Sequence, residues 1–256
     1  MRHSLLTLSL LFITVLTAGA QQTNNPNARP FYDNTFVDKG MPAGQTNMID
    51  ACRFLPQAPT TADPIFVNDS VQYVRGKELR TTLRGDTAVA DASTNIEYIM
   101  SRFGHTIGID LNTTDYPVLT RTLKGVMQDI RTSISKAKKQ YSRHRPYQHF
   151  NEPTPVPQYE SPTDYTSYPS GHSTRGWSVA LFLTAVFPEH AEDIIRTGYE
   201  LGQSRVIVGF HYQSDVDAAR LAAAAGFARL CAEKSFRKAI VKCQKEVRRK
   251  ARRAGK

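Results

Sequence analysis

The sequence predicts an all-α fold, built as a single-domain helical bundle. Apolar residues recur at three- and four-residue steps from Asn68 onward, and no segment alternates convincingly with the period of two that a half-buried strand requires. At 256 residues, with a composition that suggests neither disorder nor a fibrous repeat, the chain can bury one large core.

The chain opens MRHSLLTLSLLFITVLTAGA: Arg2 and His3, an apolar run, then Ala18-Gly19-Ala20 in the small-x-small pattern that signal peptidase reads. A leader cleaved after Ala20 is expected, giving a periplasmic or secreted protein. A retained anchor is the alternative, but the apolar run is short for a span and ends in a cleavage pattern rather than a stop-transfer sequence. Beyond the leader the longest apolar run, Val179 to Phe187, already contains Thr184 and is well short of the roughly 20 residues a bilayer demands. No integral membrane segment is expected after cleavage.

Residues 21–30, QQTNNPNARP, read as a flexible lead-in, and four prolines between 31 and 67 predict irregular structure with short helices. Asn68 or Asp69 can cap a helix reaching about Leu83, and Ile96, Ile99, Met100 and Phe103 mark another. The clearest helix runs from about Tyr116 to Tyr141, with one stripe through Leu119, Leu123, Val126, Met127, Ile130 and Ile134. Four residues on, that stripe lands on Lys138, whose charge must either snorkel to water or meet a buried anion. Arg145 and Pro146 follow; Arg143, two residues earlier, reads as solvated.

After an aperiodic stretch from Tyr147 to Tyr168, YPSGHS places Ser170 and Gly171 at a helix N-terminus, where unpaired N–H groups favour an anion, with His172 beside them. That helix stops before Pro188. The next, about Glu189 to Val208, delivers Arg205 near its end. Gly209 breaks it, leaving His211 at a junction before a helix from about Ser214 to Cys231, whose first turn holds Asp215. The folded domain is expected over 31–235, with a basic C-terminal helix or tail over 236–256.

Charge and cysteines narrow the function classes. Residues 234 to 256 hold eleven Lys and Arg against Glu246 alone, so this segment supplies the whole net charge of +10 and the remainder is balanced. Phe236, Ile240, Cys243 and Val247 recur there at helical spacing, which reads as a docked amphipathic helix with a solvated basic face. Contact with an anionic surface is the other reading. Cys52, Cys231 and Cys243 permit one bridge, through Cys52, or three free thiols, and no cysteine or histidine spacing suggests a metal site.

Three groups thus recur in order: Lys138 with Arg145-Pro146; Pro169-Ser170-Gly171-His172; and Ser204-Arg205 with His211 and Asp215. Together they resemble the three-part signature of the type 2 phosphatidic acid phosphatase superfamily, which includes bacterial acid phosphatases and vanadium haloperoxidases. YPSGHS and the run GYELGQSRVIVGFHYQSDVDAAR, residues 198 to 220, are most similar to the class A bacterial non-specific acid phosphatases. The resemblance extends over about 55 to 235.

It implies an exported, metal-independent acid phosphatase of broad range, acting on small phosphomonoesters through a phosphohistidine. His211 would be the nucleophile, Asp215 would orient it, and His172 would serve as general acid and base. Lys138, Arg145 and Arg205, with Ser170 and Gly171, would cradle the phosphoryl group. The resemblance implies neither metal nor other cofactor, no nucleic-acid partner, and a possible homo-oligomer. Activity in a chelator and inhibition by vanadate are the corresponding expectations. The alternatives are a vanadium-dependent haloperoxidase using the same anion pocket, and a lipid-headgroup phosphatase.

Overall fold

The structure, a computed structural model, describes residues 36–37 and 46–254; the expected leader, cleavage point and lead-in lie outside the described residues. Among the described residues the chain forms helices and no strands. In order they are α1 (Pro64–Leu79), α2 (Leu83–Ala90), α3 (Ile96–Ile107), α4 (Pro117–Ser133), α5 (Ser135–Gln140), α6 (Pro146–His149), α7 (Gly171–Val186), α8 (Ala191–Ile207), α9 (Gln213–Cys231) and α10 (Lys234–Ala254). The all-α expectation holds.

Helix α7 is the centre of the bundle. It packs on α8, α9, α4 and α10, and its Val179, Ala180, Phe182 and Leu183 are wholly buried beside the α4 stripe of Leu119, Leu123, Val126 and Ile130. Its crossing with α8 is close because Gly198 has no side chain: a Cβ there would lie 2.4 Å from Ala180 Cβ. That approach fixes the end of α8, and hence Arg205, against the first turns of α7.

Two local expectations are corrected, and of the two cysteine alternatives one is found. Helix α1 begins at Pro64, not at Asn68 or Asp69, because proline at the first helical position loses no hydrogen bond and has its φ already set; Asp69 lies inside the helix, fully buried. The long helix breaks at Ile134, where α4 ends and the six-residue α5 begins, so Lys138 sits on an element of its own. All three cysteines are free.

The basic segment docks along its length. Phe236 and Cys243 of α10 are buried in the main core, with Ile240 and Val247 packed against it. Glu246, buried, accepts the N–H groups of Val118 and Leu119 at 3.0 and 2.9 Å. A carboxylate there satisfies two orphan donors of α4 and complements its dipole, worth up to about 2 kcal/mol in a partly buried setting.

Candidate active site

The site is assembled by backbone pairing in the aperiodic stretch. Arg143 N–H donates to Tyr165 O at 2.6 Å and Ser167 N–H to Arg143 O at 3.2 Å, so residues 143–145 run beside 165–167. Segment 164–167 then reaches three parts of the site: Asp164 Oδ2 accepts from Arg145 Nη2 at 2.8 Å, Thr166 O accepts from Lys138 Nζ at 2.6 Å, and Ser167 Oγ donates to Asp215 Oδ2 at 2.6 Å.

His211 follows Gly209, whose φ of +74° ends α8 and turns the chain. The imidazole is buried between opposite charges. Nε2 stands 3.0 Å from Arg145 Nη1, and Nδ1 stands 3.4 Å from Asp215 Oδ2. Arginine can only donate, so Nε2 carries the lone pair and Nδ1 the proton, which faces Ser167 Oγ at 3.5 Å, and that hydroxyl in turn donates to Asp215 Oδ2. Burial first, then the charges of Arg145, Lys138 and Arg205, holds the His211 pKa well below the ordinary histidine value.

Arg205 is 1% exposed, and its Nε and Nη1 have no hydrogen-bond partner among the described residues. Its guanidinium lies 4.9 Å from the centre of the Phe210 ring, while that of Arg145 lies 5.4 Å from the same ring. Burial, then the Arg145 and Arg175 charges, lowers the Arg205 pKa to about 9, so it remains a cation at neutral pH. Each orphan donor on a buried charge costs on the order of 1–3 kcal/mol. An anion bound beside His211 would satisfy both.

Ser170 caps α7, its Oγ accepting from Ser173 N–H at 3.3 Å, while its own N–H donates to Asp215 O at 3.0 Å. Gly171 opens the helix, buried. His172, half-buried, holds Nε2 3.2 Å from the carbonyl of Ala92 in the α2–α3 loop. A carbonyl can only accept, so Nε2 is protonated.

Arg143 is not solvated. It is buried, donating to Asp215 Oδ1 at 2.5 Å and to Asp69 Oδ2 at 2.8 Å, with its guanidinium 4.1 Å from the Tyr212 ring centre. Asp69 in turn accepts from Ser214 N–H and Oγ. The Asp215 carboxylate is therefore braced on both oxygens, by Arg143 on one side and by Ser167 Oγ and Tyr212 N–H on the other. Asp164 has a separate role at Arg145: burial pushes its pKa up, but the guanidinium and the Thr166 donors outweigh this and hold it well below the usual carboxylate range.

A non-specific acid phosphatase of Providencia stuartii is 36% identical to this chain over 200 residues, 77% of this chain and 81% of the relative. One of Salmonella typhimurium is 37% identical over 196 residues, 76% and 78% of the two chains. The model of the PAP2 superfamily matches residues 122–238. The chain belongs to the PAP2 superfamily, among its acid phosphatases. An acid phosphatase of Zymomonas mobilis, 30% identical over 199 residues, extends the likeness.

The span matched by the PAP2 superfamily model holds every residue of the three sequence groups and also Arg143, Asp164 and Ser167, but not Asp69 on α1. Those four residues were missed for different reasons. Arg143 reads as solvated because its carboxylate partners, Asp69 and Asp215, are 74 and 72 positions away. Asp164 and Ser167 lie where there is no periodicity to read, and Asp69 looked like a cap.

Proposed function

We propose that this PAP2 acid phosphatase hydrolyses small phosphomonoesters through a covalent phosphohistidine at His211. One observation carries the reading: a neutral imidazole with its lone pair toward Arg145 lies beside a buried arginine whose two donors await an anion. A phosphomonoester has close to two negative charges at neutral pH, and Lys138, Arg145 and Arg205 set against Asp164 leave two positive charges to meet them.

In the first step the Nε2 lone pair of His211 attacks phosphorus in line, the ester P–O bond breaks, and the leaving oxygen takes a proton from His172 Nδ1. The cations neutralise charge on the equatorial oxygens. Ser167 Oγ accepts the Nδ1–H, and the Asp215 carboxylate behind it, 3.4 Å from Nδ1, stabilises the ring as it becomes positive. In the second step His172 takes a proton from water as the water oxygen attacks phosphorus, the P–N bond breaks, and the electron pair returns to Nε2. Apart from His172, which protonates the leaving oxygen, these groups address the phosphoryl group and none addresses the rest of the leaving group, which supports a broad substrate range. The leader-like sequence of residues 1–20 supports export.

Brief incubation with phosphorus-labelled substrate in the presence of a chelator, followed by peptide mapping, tests the intermediate. Acid-labile label is expected on the peptide holding His211. Label on another residue, or none unless a divalent ion is restored, would overturn the scheme.

The electrostatics give a second test. Lys138 is one of the charges that disfavour imidazolium at His211. Removing it in Lys138→Met makes protonation easier, so the acid limb of kcat/KM is expected to move to higher pH, with KM raised as well. An unmoved acid limb would mean that this limb does not report His211.

A further inference from the structure

Helix α10 carries charge that the catalytic scheme does not use. Between Lys234 and Arg253 nine Lys and Arg side chains are exposed. At 3.6 residues per turn they fall within an arc of about 160°, opposite the arc of Phe236, Cys243 and Val247 that is buried in or packed on the core. The helix contributes one acid, Glu246, and that carboxylate is turned inward to the start of α4. Lys250, outside the arc and beside the buried face, pairs with Asp115. Lys238, Lys242, Lys245, Arg249 and Arg252 make no salt bridge with a carboxylate among the described residues.

We propose that this face of α10 is a peripheral docking surface for an anionic lipid bilayer. Self-repulsion of so many like charges is unfavourable in the free protein and is relieved by a surface of opposite sign. The geometry selects a plane over a groove. The helix of 21 residues is roughly 30 Å long and lies flush on α4, α7 and α9, so it cannot project into a nucleic-acid major groove as a reading helix does. Val241 is the one large exposed apolar residue on α10, too little to insert among acyl chains. The attachment is therefore electrostatic and released by salt.

The test uses the full chain and the variant K238E/K242E/K245E/R249E, sedimented with vesicles of phosphatidylglycerol in phosphatidylcholine or of phosphatidylcholine alone. The unaltered chain is expected to bind the anionic vesicles at low salt, to leave them at high salt, and to ignore the neutral ones. The variant is expected to bind at least about a thousandfold more weakly. Its hydrolysis of soluble p-nitrophenyl phosphate should be unchanged, which shows that it is folded. Equal binding to neutral vesicles, retention of binding by the variant, no binding to the anionic vesicles, or tighter binding to duplex DNA at the same ionic strength would each overturn the proposal.

Discussion

Replacing His211 with asparagine is expected to lower kcat by roughly four to six orders of magnitude, while phosphate still binds within about tenfold of the original affinity. Asparagine fills similar space and can still meet the Arg145 and Asp215 groups that now stand on either side of the ring. What it lacks is a nitrogen lone pair able to bond phosphorus, so the covalent step is removed and binding is not. Single-turnover kinetics with p-nitrophenyl phosphate, read beside phosphate inhibition, separate the two quantities. A loss of kcat under tenfold would remove His211 from the nucleophile's role.

The same substitution has a signature in stability. Unfolded His211 takes up a proton near its ordinary pKa, whereas in the folded state burial and the surrounding cations keep it neutral to lower pH. Between the folded and unfolded pKa values the unfolded chain binds more protons, so this group's contribution to stability falls as pH falls through that window. His211→Asn has no such group. Its midpoint of thermal unfolding should therefore decline less than that of the original chain as pH is lowered from about 7 to about 5.

Arg143→Met is expected to be the most destabilising single change at the site. The guanidinium bridges two fully buried carboxylates, Asp69 at 2.8 Å and Asp215 at 2.5 Å. Methionine would leave both without their countercharge. Breaking a buried pair from one side costs about 3–5 kcal/mol, and for a domain of this size that corresponds to a fall of roughly 10 °C in Tm. Arg143→Lys keeps the charge but not the fork, so it should recover part of the loss. Activity should fall with stability, because Asp215 loses the donor that holds its second oxygen. Calorimetry of the two variants checks this, and a Tm within about 2 °C of the original for Arg143→Met would show that the bridge is not a stabilising element.

These two residues illustrate what could be read along the chain. His211 was legible because its partners are close in sequence: Asp215 is four residues on, in the first turn of α9, and Arg205 is six back at the end of α8. Helix periodicity and a glycine break are enough to bring such neighbours together. The stripe of α4 and the apolar face of α10 were legible for the same reason, since each is a repeat within one element. The break at Ile134 was not, because the stripe continues through it in phase.

Arg143 and Asp69 are 74 positions apart, and nothing local distinguishes either from a solvated arginine or a helix cap. Their pairing exists only because α1 packs against α9 and the 143–145 segment runs beside 165–167. The sequence by itself determined the helical class, the order of the longer helices α3, α4, α7, α8, α9 and α10, and the three groups of polar residues, since all of these follow from spacings of a few residues. Tertiary structure decided which nitrogen of His211 carries the lone pair, which oxygens of Asp215 are braced, and that Arg205 has donors without acceptors among the described residues. Each of those depends on what distant segments bring within about 3 Å, and hydrogen bonding at that range is not written in any local pattern.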